Sequence, residues 1–251
     1  ETIAPLGMDG QILPGLDDGA QILEDAVQMA EIAAASGIYH MAATSHGNIY
    51  PYTLEEYRKS FELLTETLKE REIPLKLYPG MEIFLNENAF IRLKKEKLLS
   101  LNKTNYLLVE VDFEEWPENL VRWIQKLQAQ GYRIVLAHPE RYIFLQRDPE
   151  LAYYLEEQGC VLQLNAGSIV GDFGRTCESL AWQFLRHGIA GAVATDAHDI
   201  RYRSPDIRRA VRMLDQELGS TETRLLLSEN PSRILKGYKT LRHKYKEEKE
   251  E

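Results

Sequence analysis

The stretch Arg133-Ile134-Val135-Leu136-Ala137-His138-Pro139-Glu140-Arg141-Tyr142 decides how the chain is read. It is a short apolar, β-rich run that stops on a potential metal ligand. The same kind of run recurs at 37–44, 75–83, 106–111, 160–165 and 190–195. A weaker candidate spans 3–8, where Pro5 and Gly7 disfavour a central strand. Between these runs, longer amphipathic stretches predict helices over 23–35, 54–70, 118–130, 149–158 and 178–187. Repeated βα units give parallel strands, and successive right-handed connections curl toward a closed or nearly closed barrel. An open doubly wound sheet is the alternative. After the last strand, 206–218 and 221–227 read as further segments. A final helix is expected to open at Asn230-Pro231, Asn capping and Pro filling the first turn.

No Pro/Gly/Ser-rich linker interrupts the 251 residues, so the expectation is one α/β domain over 1–238 followed by a charged tail over 239–251. Two cysteines are too few for a disulfide framework or a Cys-based zinc module, and they suit a reducing, cytoplasmic setting. A membrane span or signal peptide is not expected. The net charge of −9, from 30 Lys and Arg against 39 Asp and Glu, argues against general nucleic-acid binding.

The chemistry is expected where strands end. Thr44-Ser45-His46, Gly80-Met81-Glu82, Val109-Glu110, Ala137-His138 and Thr195-Asp196-Ala197-His198 each close a candidate strand with a ligand type. In parallel β/α barrels those C-terminal ends share one mouth. On extended backbone, residues i and i+2 face the same way, so Asp196 and His198 can address one centre. His, Asp and Glu without thiolate suit Mn, Fe or Zn in a hydrolytic site, and the number of ligands suggests more than one ion. His40, His187 and His243 have no ligand partner at useful spacing and read as structural. Cysteine-phosphatase chemistry is unsupported, because neither Cys160, at the start of a strand, nor Cys177, ahead of a helix, opens a Cys-x5-Arg loop. No Gly-x-Ser-x-Gly elbow and no Walker or dinucleotide glycine pattern occurs.

Taken in order, 12–20 (Ile-Leu-Pro-Gly-Leu-Asp-Asp-Gly-Ala), Thr-Ser-His46, Gly-Met-Glu82-Ile, Leu-Val-Glu110, Ala-His-Pro-Glu-Arg-Tyr over 137–142 and Ala-Thr-Asp-Ala-His over 194–198 resemble a known family. It is the manganese-dependent tyrosine-protein phosphatases of bacterial capsule and exopolysaccharide clusters, within the polymerase and histidinol phosphatase (PHP) superfamily. The resemblance runs from about residue 6 to 235. It implies a PHP-type distorted (β/α)7 TIM-like barrel with two or three ions, manganese first and iron or zinc as alternatives, and hydrolysis of phosphotyrosine by a metal-activated water. Carried over, Asp18, His46 and His198 resemble the ligands of one ion, and Glu82, Glu110 and His138 those of a second. Glu82 and Asp196 help hold a third, and Arg141 and Arg203 match phosphate-holding arginines. The implied partner is a tyrosine-phosphorylated protein, the tail of a bacterial tyrosine kinase controlling polysaccharide export. Oligomeric state stays open.

One departure stands out. Where the family opens with His-x-His, this chain has Asp9-Gly10-Gln11, offering a carboxylate and an amide oxygen. That leaves two alternatives open: a phosphotyrosine-binding pseudophosphatase with a damaged first metal site, or a small-molecule phosphomonoesterase of the same superfamily.

Overall fold

Side-chain alternation along the central strands determines what reaches the site. In the computed structural model, which describes residues 5–242, the strands are β1 (Leu6–Gly7), β2 (His40–Ala43), β3 (Lys76–Pro79), β4 (Glu82–Phe84), β5 (Tyr106–Glu110), β6 (Arg133–Ala137), β7 (Val161–Asn165) and β8 (Ala190–Ala194). The longer helices between them are α1 (Leu23–Ala35), α2 (Leu54–Glu70), α3 (Glu87–Lys94) and α4 (Pro117–Gln128). They are followed by α5 (Ile143–Arg147), α6 (Glu150–Glu157), α7 (Ala166–Ile169) and α8 (Arg175–Arg186), and then by α9 (Arg208–Leu218), α10 (Ser220–Arg224) and α11 (Asn230–Leu235).

All pairings are parallel, in two sheets ordered β1-β2-β3 and β4-β5-β6-β7-β8. Single bridges join their margins, His46 to Glu82 at one seam and Gly10 to Ala197 at the other. The expected βα alternation is therefore present, as a mixed α/β fold with parallel sheets. The 75–83 run differs from expectation, because it breaks into β3 and β4 at Gly80-Met81 and the halves join different sheets. Gly80 N donates to the Tyr57 hydroxyl at 3.0 Å, and a Cβ there would come within 2.9 Å of Leu101. The backbone is thus drawn out of the ladder at a residue without a side chain.

On β5, Leu107 and Val109 enter the large core beneath the helices, while Tyr106 and Leu108 enter a smaller inner cluster with Val135, Ala137, Val161 and Ala194. Ile234 and Leu235 of α11 belong to that inner cluster. The period of two puts Glu110 on the inner side with Tyr106 and Leu108, and Gln163 and Asn165 with Val161. Each fully buried Leu or Val along these strands contributes about 1.5–3 kcal/mol.

Three further details differ from the sequence expectations. Asn230 does not cap a helix. Its backbone is helical and continues the turns before it, while its amide donates to Gly191 O and Leu241 O and accepts from Leu241 N. Cys177 lies inside α8 rather than ahead of it. Helices α3 and α5 arise in stretches too short to show a full amphipathic period. Where a strong cap exists the boundary is sharp, as at α2, where Thr53 Oγ1 accepts from Glu56 N and the Glu56 carboxylate accepts from Thr53 N.

Candidate metal centre

The first strand region is fixed from both sides. Thr44 N donates to Gly10 O at 3.0 Å and Gln11 N to Ala197 O at 2.9 Å. This stitching lies beyond the short β1 and turns the side chains of Asp9 and Gln11 the same way. The following loop folds back so closely that a Cβ on Gly19 would meet the Gln11 carbonyl oxygen at 1.9 Å. Only glycine fits, and the loop consequently brings Asp17 and Asp18 to the mouth. Asp17 accepts from Gly19 N and His46 N at 3.0 and 2.9 Å, which orients the backbone at His46.

His46, Glu82, Glu110 and His138 form the densest part of the site. His46 Nδ1 lies 3.0 Å from Glu110 Oε1 and 3.6 Å from Glu82 Oε2. His138 Nε2 lies 3.2 Å from Glu82 Oε1 and 3.6 Å from Glu110 Oε2. On the other side of His46, Nε2 is 3.4 Å from Asp18 Oδ1, which is also 3.8 Å from His198 Nε2. His198 is held by Nδ1 against its neighbouring carbonyl, Asp196 O, at 2.9 Å. Ligand-type atoms of Asp18, His46 and His198, of His46, Glu82 and Glu110, and of Asp9, Glu82 and Asp196 lie within 4.8 Å of one another in each trio.

Electrostatics follow from burial and pairing. Burial works against a charged His46, yet contacts with Asp18 and Glu110 hold it up to about 12; His138 is held up to about 10 by Glu110 and Glu82 against the same burial. Burial and the neighbouring Glu110 push Glu82 up to about 7. Glu110 goes the other way: its two histidine partners outweigh burial and bring it down to about 2. His198 is lowered, first by burial. Asp9 is raised well above the usual carboxylate range by burial, Glu82 and Asp196. Two of these residues also carry backbone strain, His138 at φ 36° and Asp196 at φ 50°, positions that non-glycine residues rarely adopt.

The residues fit divalent ions. His46 Nδ1 and Glu110 Oε1 are buried 3.0 Å apart, but neither makes a hydrogen bond among the described residues. In the absence of an ion the pair is held by a protonated imidazole, and a divalent ion in place of that proton would take both atoms as ligands of a common centre. His138 Nδ1, Asp196 Oδ1 and Gln11 Oε1 are buried without a hydrogen-bond partner in the same way. A mixed imidazole and carboxylate set of this kind suits Mn, Fe or Zn.

Arg141 and Arg203 meet at Asp196. Arg141 Nη1 reaches Asp196 Oδ2 at 3.4 Å, Arg203 Nη2 donates to the same oxygen, and Asn165 Nδ2 adds a third donor at 2.8 Å. The Arg141 guanidinium lies 4.7 Å from the ring centres of both Phe113 and Phe173. Beside it opens a cavity of about 340 Å³ whose lining includes Asn165, Gly167, Phe173, Tyr202, Arg203 and Arg209.

Every residue singled out from the sequence for this site is thus brought to it, Asp9 and Gln11 included. His40 and His187 stand apart, bonded to Tyr78 and Tyr153. His243 lies outside the described residues. Cys160 is buried, and burial pushes its thiol up to about 12, which leaves it no nucleophilic character. Sequence reasoning missed Glu140, fully buried and accepting from Asn165 N and Ser168 Oγ at 2.9 and 2.6 Å, and it missed the inner-face pair Gln163 and Asn165. The signal available for that pair was polar residues at i and i+2 in an otherwise apolar strand.

The sequence model of the family described as "Capsular polysaccharide synthesis, CpsB/CapC" matches residues 6–236. The chain belongs to the CpsB/CapC family. It is 35% identical over 227 residues to the tyrosine-protein phosphatase YwqE of Bacillus subtilis, covering 90% of this chain and 89% of that protein. It is 24% identical to the tyrosine-protein phosphatase CpsB of Streptococcus agalactiae, over 93% of this chain and 99% of that one. A structure from work on YwqE of Bacillus subtilis and CpsB of Streptococcus pneumoniae, described as unique metal-dependent tyrosine phosphatases, superposes with a TM-score of 0.89 at 33% identity, covering 95% of this chain and 97% of that chain. A dihydropyrimidinase from Brevibacillus agri shares the fold alone, at TM-score 0.57 and 10% identity, over 97% of this chain and 74% of that chain. Among the described residues of this CpsB/CapC member, no helix is long and apolar enough to cross a membrane.

Proposed function

We propose that this chain is a metal-dependent protein-tyrosine phosphatase. The observation that carries the reading is the convergence of Asp18, His46, Glu82, Glu110, His138, Asp196 and His198 on one mouth, with Arg141 and Arg203 beside them. Asp18, His46 and His198 would hold one ion and Glu82, Glu110 and His138 a second, with His46 between the two groups. Asp9, Glu82, Asp196 and Gln11 border a third position. Bound divalent ions, manganese first, supply Lewis acidity toward the phosphoryl oxygens and an acidified water.

The chain's own residues bind and orient. Arg141 and Arg203 present planar, permanently charged forks to the phosphoryl oxygens. Asp196 gathers both guanidinium groups, and the rings of Phe113 and Phe173 keep Arg141 from swinging into solvent. The adjoining cavity, with Phe173 and Tyr202 on its lining, accommodates an aromatic ring and the peptide that carries it. Hydrolysis forms a P–O bond from water and breaks the bond to the tyrosyl oxygen. A phenol of pKa ~10 leaves with less need of protonation than an alkyl alcohol.

The substrate we infer is a tyrosine-phosphorylated protein, the tail of a bacterial tyrosine kinase in polysaccharide synthesis and export, met in the cytoplasm. That the relatives include named tyrosine-protein phosphatases, and that the family is one of capsular polysaccharide synthesis, support this partner. We also infer that the two sheets work as one distorted barrel spanning 1–238 ahead of the charged 239–251 segment, a view supported by the bridges at both seams. The test is hydrolysis of p-nitrophenyl phosphate and of a phosphotyrosine peptide with added manganese. A rate that EDTA abolishes and that His138→Ala lacks is expected. Equal rates in wild type and His138→Ala would refute the reading.

A further inference from the structure

Asp9, Glu82 and Asp196 place carboxylate oxygens within 4.8 Å of one another, and all three residues are buried. The donors on Asp9 are neutral: Thr44 Oγ1 at 2.7 Å and Gln163 Nε2 at 2.9 Å. Glu82 Oε2 accepts from another neutral donor, Gln11 Nε2, at 3.0 Å. Three interior carboxylates repel one another; Glu82 is met by His46 and His138 and Asp196 by Arg141 and Arg203, but the side-chain donors on Asp9 are neutral and do not offset the cost of burying its charge.

What borders the trio points to a ligand. Gln11 and Gln163 are 0% and 2% exposed, and their amide nitrogens are committed to Glu82 and Asp9. Their oxygens, with Asp196 Oδ1, are buried acceptors that find no donor among the described residues. The complement of such a set is a cation. Its donors are oxygen throughout, whereas the two trios at His46 each contain imidazole. Carboxylate and carbonyl oxygens suit magnesium, calcium and manganese, while imidazole favours zinc and later transition ions.

We propose that Asp9, Glu82 and Asp196, together with the amide oxygens of Gln11 and Gln163, form an all-oxygen site for a hard divalent cation such as magnesium, so that the loaded protein carries a mixed cluster. The imidazole-bearing groups take the softer ion. This rests on the metal-centre reading above, with which it shares Glu82.

The experiment is equilibrium dialysis of the chelator-stripped full chain against two molar equivalents of zinc and excess magnesium, with both metals counted by inductively coupled plasma mass spectrometry. Zinc and magnesium bound together are expected in the wild type. Asp9→Asn and Gln163→Leu should each weaken magnesium binding by at least about 10-fold, the cost of losing even an outer partner of a ligand, and leave zinc unchanged, with a thermal melt confirming that both variants fold. Zinc bound without magnesium, or Asp9→Asn losing zinc and magnesium alike, would overturn the inference and leave the phosphatase reading standing. No bound zinc in the wild type would count against both.

Discussion

On one flank of the centre, His46 and His138 sit between Glu82 and Glu110, each histidine within 3.6 Å of both carboxylates. On the other, Asp9 accepts from the Thr44 hydroxyl and the Gln163 amide, Gln11 donates to Glu82, and Asp196 gathers Arg141 and Arg203 on its outer oxygen. The first flank sets imidazole against carboxylate throughout, while the second leaves Asp9 on neutral donors and the Gln11, Gln163 and Asp196 oxygens without a donor among the described residues. Both flanks lie at or just beyond the ends of parallel strands and share Glu82.

The most damaging change should fall on the histidine flank. Loss of an outer partner of a metal ligand already costs about 10–100-fold, so His138→Ala, which removes a proposed ligand, should lower the phosphotyrosine hydrolysis rate by more than about 100-fold. Metal content should fall with it. Next come the arginines: Arg203→Ala removes a fixed donor from the place where phosphoryl charge develops, and a loss of about 10²-fold in kcat/KM is expected. Unchanged kcat/KM would show that Asp196 gathers the arginines for structure only.

Making the flanks alike is a gentler test. Asp9→His combined with Gln11→His puts imidazole on both, and the double variant should take up additional zinc in the dialysis assay at the expense of magnesium. An unchanged zinc-to-magnesium ratio would separate ion choice from the residues at 9 and 11. The smallest effect belongs to the aromatic clamp. A cation–π contact contributes about 0.5–1 kcal/mol, so Phe113→Leu should raise KM roughly two- to fivefold with kcat nearly constant, and Phe113→Tyr should restore it. A fall in kcat of the same size would mean that the ring supports the metal ligands through its contact with His138 instead.

Much of this was legible in the chain. The strand-end ligands are readable because β/α alternation places strand termini together whatever the details of register, so His46, Glu82, Glu110, His138, Asp196 and His198 are gathered by the sequence pattern itself. The break at Gly80-Met81 was not, since the 75–83 run is uniformly β-like and only the approach of Tyr57 and Leu101 separates its halves. Glu140, Gln163 and Thr44 were hidden for a related reason. Their importance lies in partners 25 to 154 positions away, such as Asn165 for Glu140 and Asp9 for Gln163, and local pattern carries no trace of such pairings. Asn230 misled because Asn-Pro is a common helix opening, while here the amide side chain is spent on Gly191 and Leu241.

The central claim is that the convergent histidines and carboxylates form a metal centre that hydrolyses phosphotyrosine. Its most direct test is manganese titration of the chelator-stripped chain while phosphate release from a phosphotyrosine peptide is followed, with a phosphoserine peptide of the same sequence alongside. The account predicts no release without metal, a rate that rises and saturates with added manganese, and a clear preference for phosphotyrosine. Release that is independent of metal, or none at any manganese concentration from a folded chain, would contradict it.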